Sequence, residues 1–364
     1  MINKQQSIDR QIRMNFLLKH KRSFDKNIEN YLIHLRKIHV QQSNLFSNRI
    51  SMTSNSFVRD ERNLSKSRYR DVIPGEATRV KLQPDYDDKS DFINANYVSG
   101  YNNQEKAYIF TQGNKKKRNN KIISALFLLN IGPLESTVKD FWRMVWQENI
   151  VIIVMTTNIR ESNTIKCYPY WPSETKAVLN AGLYQIQNEE SERFSSFIVT
   201  KLSLRKKNHS DVRTIYHAHY IKWPDHGIPP NTNDALDFLE RVNYYKRLTQ
   251  TQAPILVHCS AGIGRTGTFC AIDIGIKRYL EKMNIDMPAT VMKMRSERAG
   301  SVQTEDQYVF AHLALMDYIK QHEQTTTTTA DNDLPDVRIK TGNSFFSYQT
   351  KLTCFVVLIR SMMM

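Results

Sequence analysis

One stretch constrains this chain more than any other: Ile255-Leu256-Val257-His258-Cys259-Ser260-Ala261-Gly262-Ile263-Gly264-Arg265-Thr266-Gly267. An apolar, β-branched run stops at a cysteine, passes through small residues and resumes as a helical pattern from Arg265 to about Met283. The spacing predicts a strand, a tight loop and a helix. Small residues and glycines let such a loop curl until successive amide N–H groups point inward, and the helix adds its positive N-terminal end to the same spot. The product is a cradle for an anion. Arg265 can fork onto two anion oxygens while the amides take the others. The same field acts on Cys259: a helix N-terminus and converging amides lower a thiol from about 8.5 to roughly 3.5–7.5, so the thiolate dominates at neutral pH. Cys259 therefore reads as a nucleophile. Thr266 can donate a hydroxyl hydrogen bond to its sulfur and ease the sulfur's departure from a covalent intermediate.

Two other readings compete. Gly262 to Gly267 also fits the glycine fingerprint of dinucleotide-binding folds. That reading leaves Cys259 and Arg265 without a task, and an arginine in the turn crowds a pyrophosphate that needs bare backbone. A buried core thiol is the commoner fate of a cysteine after an apolar strand. It does not account for an arginine and a threonine in the same loop.

His258-Cys259-Ser260-Ala261-Gly262-Ile263-Gly264-Arg265-Thr266-Gly267 resembles, at every position, the signature loop of the cysteine-dependent protein tyrosine phosphatases. The resemblance implies an α/β fold, a twisted mixed β-sheet flanked by helices with the signature loop between a strand and a helix. It implies a substrate phosphate held by Ser260, Ala261, Gly262, Ile263, Gly264 and Arg265, with His258 behind the nucleophile, and no metal or organic cofactor.

Other segments carry the likeness further. Lys66-Ser67-Arg68-Tyr69-Arg70-Asp71 resembles the family's phosphotyrosine loop, with Ser67 where asparagine is usual, a change expected to soften the loop's anchor. Tyr69 would wall the phosphotyrosine ring, and Asp71 at the rim would accept N–H groups of the substrate peptide. Asp91 to Tyr97 and Tyr108 to Gly113 resemble two scaffolding strands. Glu161, with Lys166 and Cys167, resembles a loop that sets a glutamate against the signature arginine; read alone, Glu161 is equally an exposed glutamate on a turn. Trp223-Pro224-Asp225-His226-Gly227 resembles the acid loop: proline and glycine bound it, Trp223 anchors it, and Asp225 is its carboxylate. A phenolate leaving phosphorus needs a proton, and a mobile loop can bring the acid while excluding water. Gln303 and Gln307 resemble the loop that positions the hydrolytic water, a task suited to an amide, which orients water without competing as a nucleophile.

Periodicity supplies the rest. Val151 to Met155 reads as a buried strand, Tyr184 to Lys201 and Thr214 to Ile221 as antiparallel strands, and Asn233 to Leu248 as an amphipathic helix. A last helix is expected to end near Gln321. The likeness runs from about Ser65 to Lys320, giving residues 1–50 as a basic extension with a helical pattern through Phe24, Ile28, Tyr31, Leu32 and Leu35, 51–322 as the catalytic domain, and 323–364 as linker and tail. Residues 114–132 interrupt it: a basic head and an apolar run too short for a membrane span of about 20 residues. They fit an unspliced segment better than an interfacial anchor, and deleting them joins Gly113 to Pro133 as one family segment.

The charge of +15 favours anionic partners, which an acidic phosphopeptide satisfies as well as a nucleic acid. No nucleic-acid-binding motif accompanies it. The basic tilt resembles that of viral phosphatases of the bracovirus type. The four cysteines, Cys167, Cys259, Cys270 and Cys354, lack metal-ligand spacing and suit a reducing compartment. No secretory pattern opens the chain. The expectation is a cytoplasmic, monomeric enzyme acting on phosphotyrosine-containing proteins. The contrasting expectation, a module that captures phosphotyrosine without turnover, would fit better had Cys259, Asp225 or Arg265 been missing.

Overall fold

Strand β11 (Ile255–His258) is buried along its whole length because both of its faces are covered. Ile255 and Val257 enter one apolar cluster and Leu256 the other. A strand covered on both sides reads as a continuous apolar run, which is how it looks in the sequence. The computed structural model describes residues 37, 61–69, 71–84, 89–113, 135–224, 227–327, 338–341 and 344–347. The N-terminal helical pattern, the insertion 114–132, Asp225 and the apolar tail lie outside the described residues.

After a short helix α1 (Glu61–Ser65) come β1 (Arg79–Lys81), β2 (Phe92–Val98), β3 (Tyr108–Thr111), helix α2 (Glu135–Gln147) and β4 (Ile152–Met155). A small hairpin follows, β5 (Arg160–Glu161) with β6 (Thr164–Ile165), and then β7 (Val178–Ala181), β8 (Tyr184–Arg193), β9 (Phe197–Lys206) and β10 (Val212–Tyr220). Helix α3 (Asn233–Thr249) leads into β11, then α4 (Gly264–Lys282), β12 (Asn284–Ile285), α5 (Met287–Glu297) and α6 (Glu305–Thr327). Strands β13 (Arg338–Thr341) and β14 (Ser344–Ser347) join β12 in a three-stranded sheet.

The main sheet has nine strands in the order β1-β2-β3-β11-β4-β10-β9-β8-β7. Its centre is parallel: β11 pairs with β3 on one side and β4 on the other, and β4 pairs with β10. Antiparallel strands extend it at both edges. Helices α3, α4, α5 and α6 cover one face with Phe238, Phe269, Val291 and Phe310, while α2 covers the other with Phe141, Trp142, Val145 and Trp146. Each such side chain, fully buried, contributes about 1.5–3 kcal/mol relative to exposure.

Local chemistry sets several boundaries. Asp286 caps α5, accepting from the Ala289 amide at 3.1 Å, and Pro288 sits in the first turn where its missing N–H costs nothing. α3 and α4 end on left-handed residues, Gln250 and Met283. The stretch read as strand from Tyr184 to Lys201 is two strands turning at Phe194 to Ser196, and the last helix continues past Gln321 to Thr327. Hydrophobic pattern fades there before the backbone hydrogen bonding does, so sequence marks the end early. Strands β7 and β12 and helix α5 had no counterpart in the sequence reading.

Candidate active site

The strand-loop-helix forms as expected, with α4 starting at Gly264. Gly262 has φ +70° and lies so close to β3 that a Cβ there would be 2.1 Å from the Thr111 carbonyl oxygen, so only glycine lets the loop curl tightly here. Cys259, 5% exposed, sits at the floor, and the Gly262 amide donates to its sulfur at 3.2 Å. Burial works to raise the thiol, but the Thr266 hydroxyl and amide, the Arg265 charge and the Ile263 amide together outweigh it and hold the pKa below the ordinary value. The Thr266 hydroxyl is fully buried and lacks a partner in full hydrogen-bond geometry, so its pull on the sulfur comes from proximity and a rotatable O–H.

Arg265 is clamped from behind. Its two terminal nitrogens donate to the two Glu161 carboxylate oxygens at 2.5 and 2.9 Å, and to the carbonyls of Thr156 (3.3 Å) and Pro224 (2.9 Å). Glu161 is itself buried and receives the Thr157 hydroxyl and the Asn158 amide, both at 3.0 Å. The reading of Glu161 as an exposed turn residue is thereby removed: the β5–β6 hairpin delivers the carboxylate into the interior. Lys166, on the same excursion, meets the loop through its carbonyl, which accepts from the Ser260 hydroxyl at 3.0 Å.

Tyr69 stands at the mouth, 37% exposed, its hydroxyl 2.9 Å from that of Ser260. Asp71 is exposed two residues further on. Ser67 is buried and accepts from the Asn94 side-chain amide at 3.0 Å, so the loop keeps an anchor to β2. On the opposite side the Gln307 oxygen accepts the Gln303 amide at 2.9 Å, and a Cβ on Gly264 would come within 2.9 Å of the Gln307 side chain and 3.2 Å of the Gln303 side chain. Both glutamines thus lie against the residue before Arg265.

The acid loop is held at its ends. Trp223 is buried, packs at 6.1 Å from Phe310, and donates from Nε1 to the Gly227 carbonyl at 3.2 Å, bridging the two residues between which Asp225 lies. With the Pro224 carbonyl on Arg265, the backbone next to Asp225 is tied to the signature loop.

Sequence reasoning missed two groups. Arg298, 1% exposed, donates to the carbonyls of Ala261 (3.1 Å) and Gly262 (3.2 Å) and to the side-chain oxygens of Asn94 (2.8 Å) and Asn96 (2.9 Å). Its partners are all neutral, so burial lowers its pKa to about 10, opposed by the negative charge of Cys259. The pair fixes the outward carbonyls of the loop and leaves the amides turned inward. The second group is Tyr170, whose hydroxyl is 2.7 Å from Nε2 of both His258 and His217. Nδ1 of His258 lies 3.1 Å from the Cys259 carbonyl, and a donor there makes Nε2 the acceptor of the Tyr170 proton, so His217 donates to Tyr170. Burial lowers His258 to about 4, keeping it neutral. Arginine and tyrosine are ordinarily surface or half-buried residues, and nothing in the spacing of Arg298 or Tyr170 marks them.

A family model described as protein-tyrosine phosphatase matches residues 63–317. The human, mouse and rat proteins named tyrosine-protein phosphatase non-receptor type 9 are each 35% identical over 271 residues, covering 71% of this chain and 42% of theirs. The chain therefore spans less than half the length of these relatives. Among the described residues, no helix is long and apolar enough to cross a membrane.

Proposed function

Because the chain belongs to the protein-tyrosine phosphatase family, we propose that it hydrolyses phosphotyrosine in proteins through a cysteinyl-phosphate. The observation that carries this reading is a sulfur held toward thiolate at the floor of an amide cradle whose arginine is locked by Glu161.

In the first step the Cys259 thiolate attacks phosphorus, the P–O bond to tyrosine breaks, and Asp225 gives its proton to the departing phenolate oxygen. Arg265 and the loop amides stabilise the charge on the non-bridging oxygens. In the second step Gln303, backed by Gln307, orients a water. Asp225, now the base, takes its proton as the S–P bond breaks, releasing phosphate and restoring the thiolate. Thr266 eases that departure. Tyr69 walls the ring at a depth that phosphoserine cannot span, and Asp71 holds the peptide backbone. The chemistry requires no metal or organic cofactor, and one chain supplies every group, so a monomer suffices. An intracellular location suits a low-pKa cysteine, which survives where thiols stay reduced.

Phosphate release from a phosphotyrosyl peptide tests this reading. Cys259→Ser should abolish turnover and still bind the peptide, because a hydroxyl is a far weaker nucleophile than a thiolate. Activity within tenfold of the parent would overturn the assignment.

A further inference from the structure

A second cleft, of about 530 Å³, opens between α3 and α4 beside Tyr318 of α6. Its α4 residues, from Asp273 to Leu280, lie roughly 12–22 Å along the helix axis from Arg265 at about 1.5 Å per residue, well away from the signature loop. Its volume falls within the range of about 300–1,000 Å³ typical of small-molecule sites. Part of its lining is apolar: Leu236, Leu239 and Ile276 are buried, and Leu280 is 50% exposed.

The same two helices also bring unbalanced charge to the cleft. Asp273, 1% exposed, already receives the Tyr108 hydroxyl at 2.5 Å, the Lys277 ammonium at 2.6 Å and the Asn243 amide at 3.2 Å. Arg247 pairs with Glu240 at 2.6 Å. Lys246 shares the cleft with Lys277 but forms no ion pair of its own among the described residues. One buried carboxylate thus faces two ammonium groups. Burial and repulsion from Lys277 both disfavour the charge on Lys246, with Asp273 only partly opposing them. A half-buried lysine sharing a cleft with apolar side chains is a site for a negative head on a hydrophobic body.

We propose that this cleft binds an aliphatic monocarboxylate, its head on Lys246 and its chain across Leu239, Ile276 and Leu280. The charge selects a carboxylate over a phosphate monoester: a single uncompensated positive charge is matched by one negative charge, whereas a phosphate monoester carries about −1.5 to −2 at neutral pH. Lysine also lacks the fork that favours phosphate. This inference is independent of the proposed reaction.

The test is calorimetric titration of the full chain with decanoate, below its micelle concentration and with vanadate saturating the signature loop. One decanoate should bind per chain, with decanol and acetate at least tenfold weaker. Lys246→Met should weaken decanoate at least tenfold with kcat/KM on a phosphotyrosyl peptide unchanged, and Lys246→Arg should retain binding within threefold. Equal binding of decanol, no binding of decanoate once vanadate fills the signature loop, or undiminished affinity in a folded Lys246→Met would overturn the proposal. Should Lys246→Met fail to fold, Lys246→Gln replaces it under the same criteria.

Discussion

Replacing Glu161 by glutamine separates the two tasks assigned to the carboxylate. One of its oxygens accepts three donors, from Arg265, Thr157 and Asn158, at 2.5 to 3.0 Å, and among the described residues the other accepts only the second Arg265 nitrogen at 2.9 Å. Glutamine would keep its oxygen in the crowded position and turn its amide toward Arg265, setting donor against donor. One charge-assisted bond is lost, at about 1.5–3 kcal/mol. Removing a whole partner from a buried ion pair costs about 3–5 kcal/mol, which sets the upper limit. The Thr156 and Pro224 carbonyls remain on the guanidinium, so the expected loss is about 2–3 kcal/mol, or a Tm lower by about 4–6 °C for a domain of this size. The kinetic effect follows from aim: a displacement near 1 Å costs about 100-fold, so kcat/KM should fall about 10- to 100-fold with vanadate affinity falling in parallel. The assay pairs thermal unfolding with phosphotyrosyl-peptide kinetics and vanadate inhibition. A lowered Tm with kcat/KM and vanadate affinity both within threefold of the parent would refute the orienting role and leave Glu161 as a stabilising residue alone.

Asp225→Ala should lower kcat by about 10²–10⁴ without raising KM, leaving a variant that retains bound substrate; a loss confined to KM would remove Asp225 from the acid role. Thr266→Ala removes the foremost influence holding the Cys259 thiol down, so its pKa should rise toward 9.0. Since the thiolate is the reactive form and is lost as pH falls through that pKa, the acidic limb of kcat/KM should move to higher pH; an unmoved limb contradicts it. Gly262→Ala forces a methyl against the Thr111 carbonyl in a left-handed conformation that costs an L residue about 1–2 kcal/mol before any clash. The variant should lose vanadate binding, and retention of parental affinity would show that the loop tolerates the shift.

The signature loop was legible because every residue in it answers a local demand: an apolar strand, a reactive sulfur, small residues at a curl, a helix start. The acid and glutamine loops were legible only through resemblance, since Trp-Pro-Asp or a pair of glutamines alone describes many turns. The charge of Glu161 was visible but its burial was not, because a hairpin of four paired residues carries it inward and such a short excursion has no periodicity to read. Arg298 lies only a few residues before Gln303, yet its contacts reach back about two hundred residues to Asn94 and Asn96. Long-range partners of a polar residue leave no trace in its neighbours. The missed strands failed for the same reason: β12 has two residues and is held by pairing with β13.

The place of β11 in the sheet has a consequence for how the protein comes into being. It is the wedge between β3 and β4, although about a hundred residues of chain separate it from β4, and more from β3, on the ribosome's schedule. Until His258 has emerged, β3 and β4 each present an unpaired inner edge, the kind of surface on which chains join one another in error. The nucleophile arrives on the strand that closes this gap. A nascent chain can hold the acid loop and the arginine's glutamate long before it holds any activity, and the exposure to misassembly ends with the same residues that begin the chemistry.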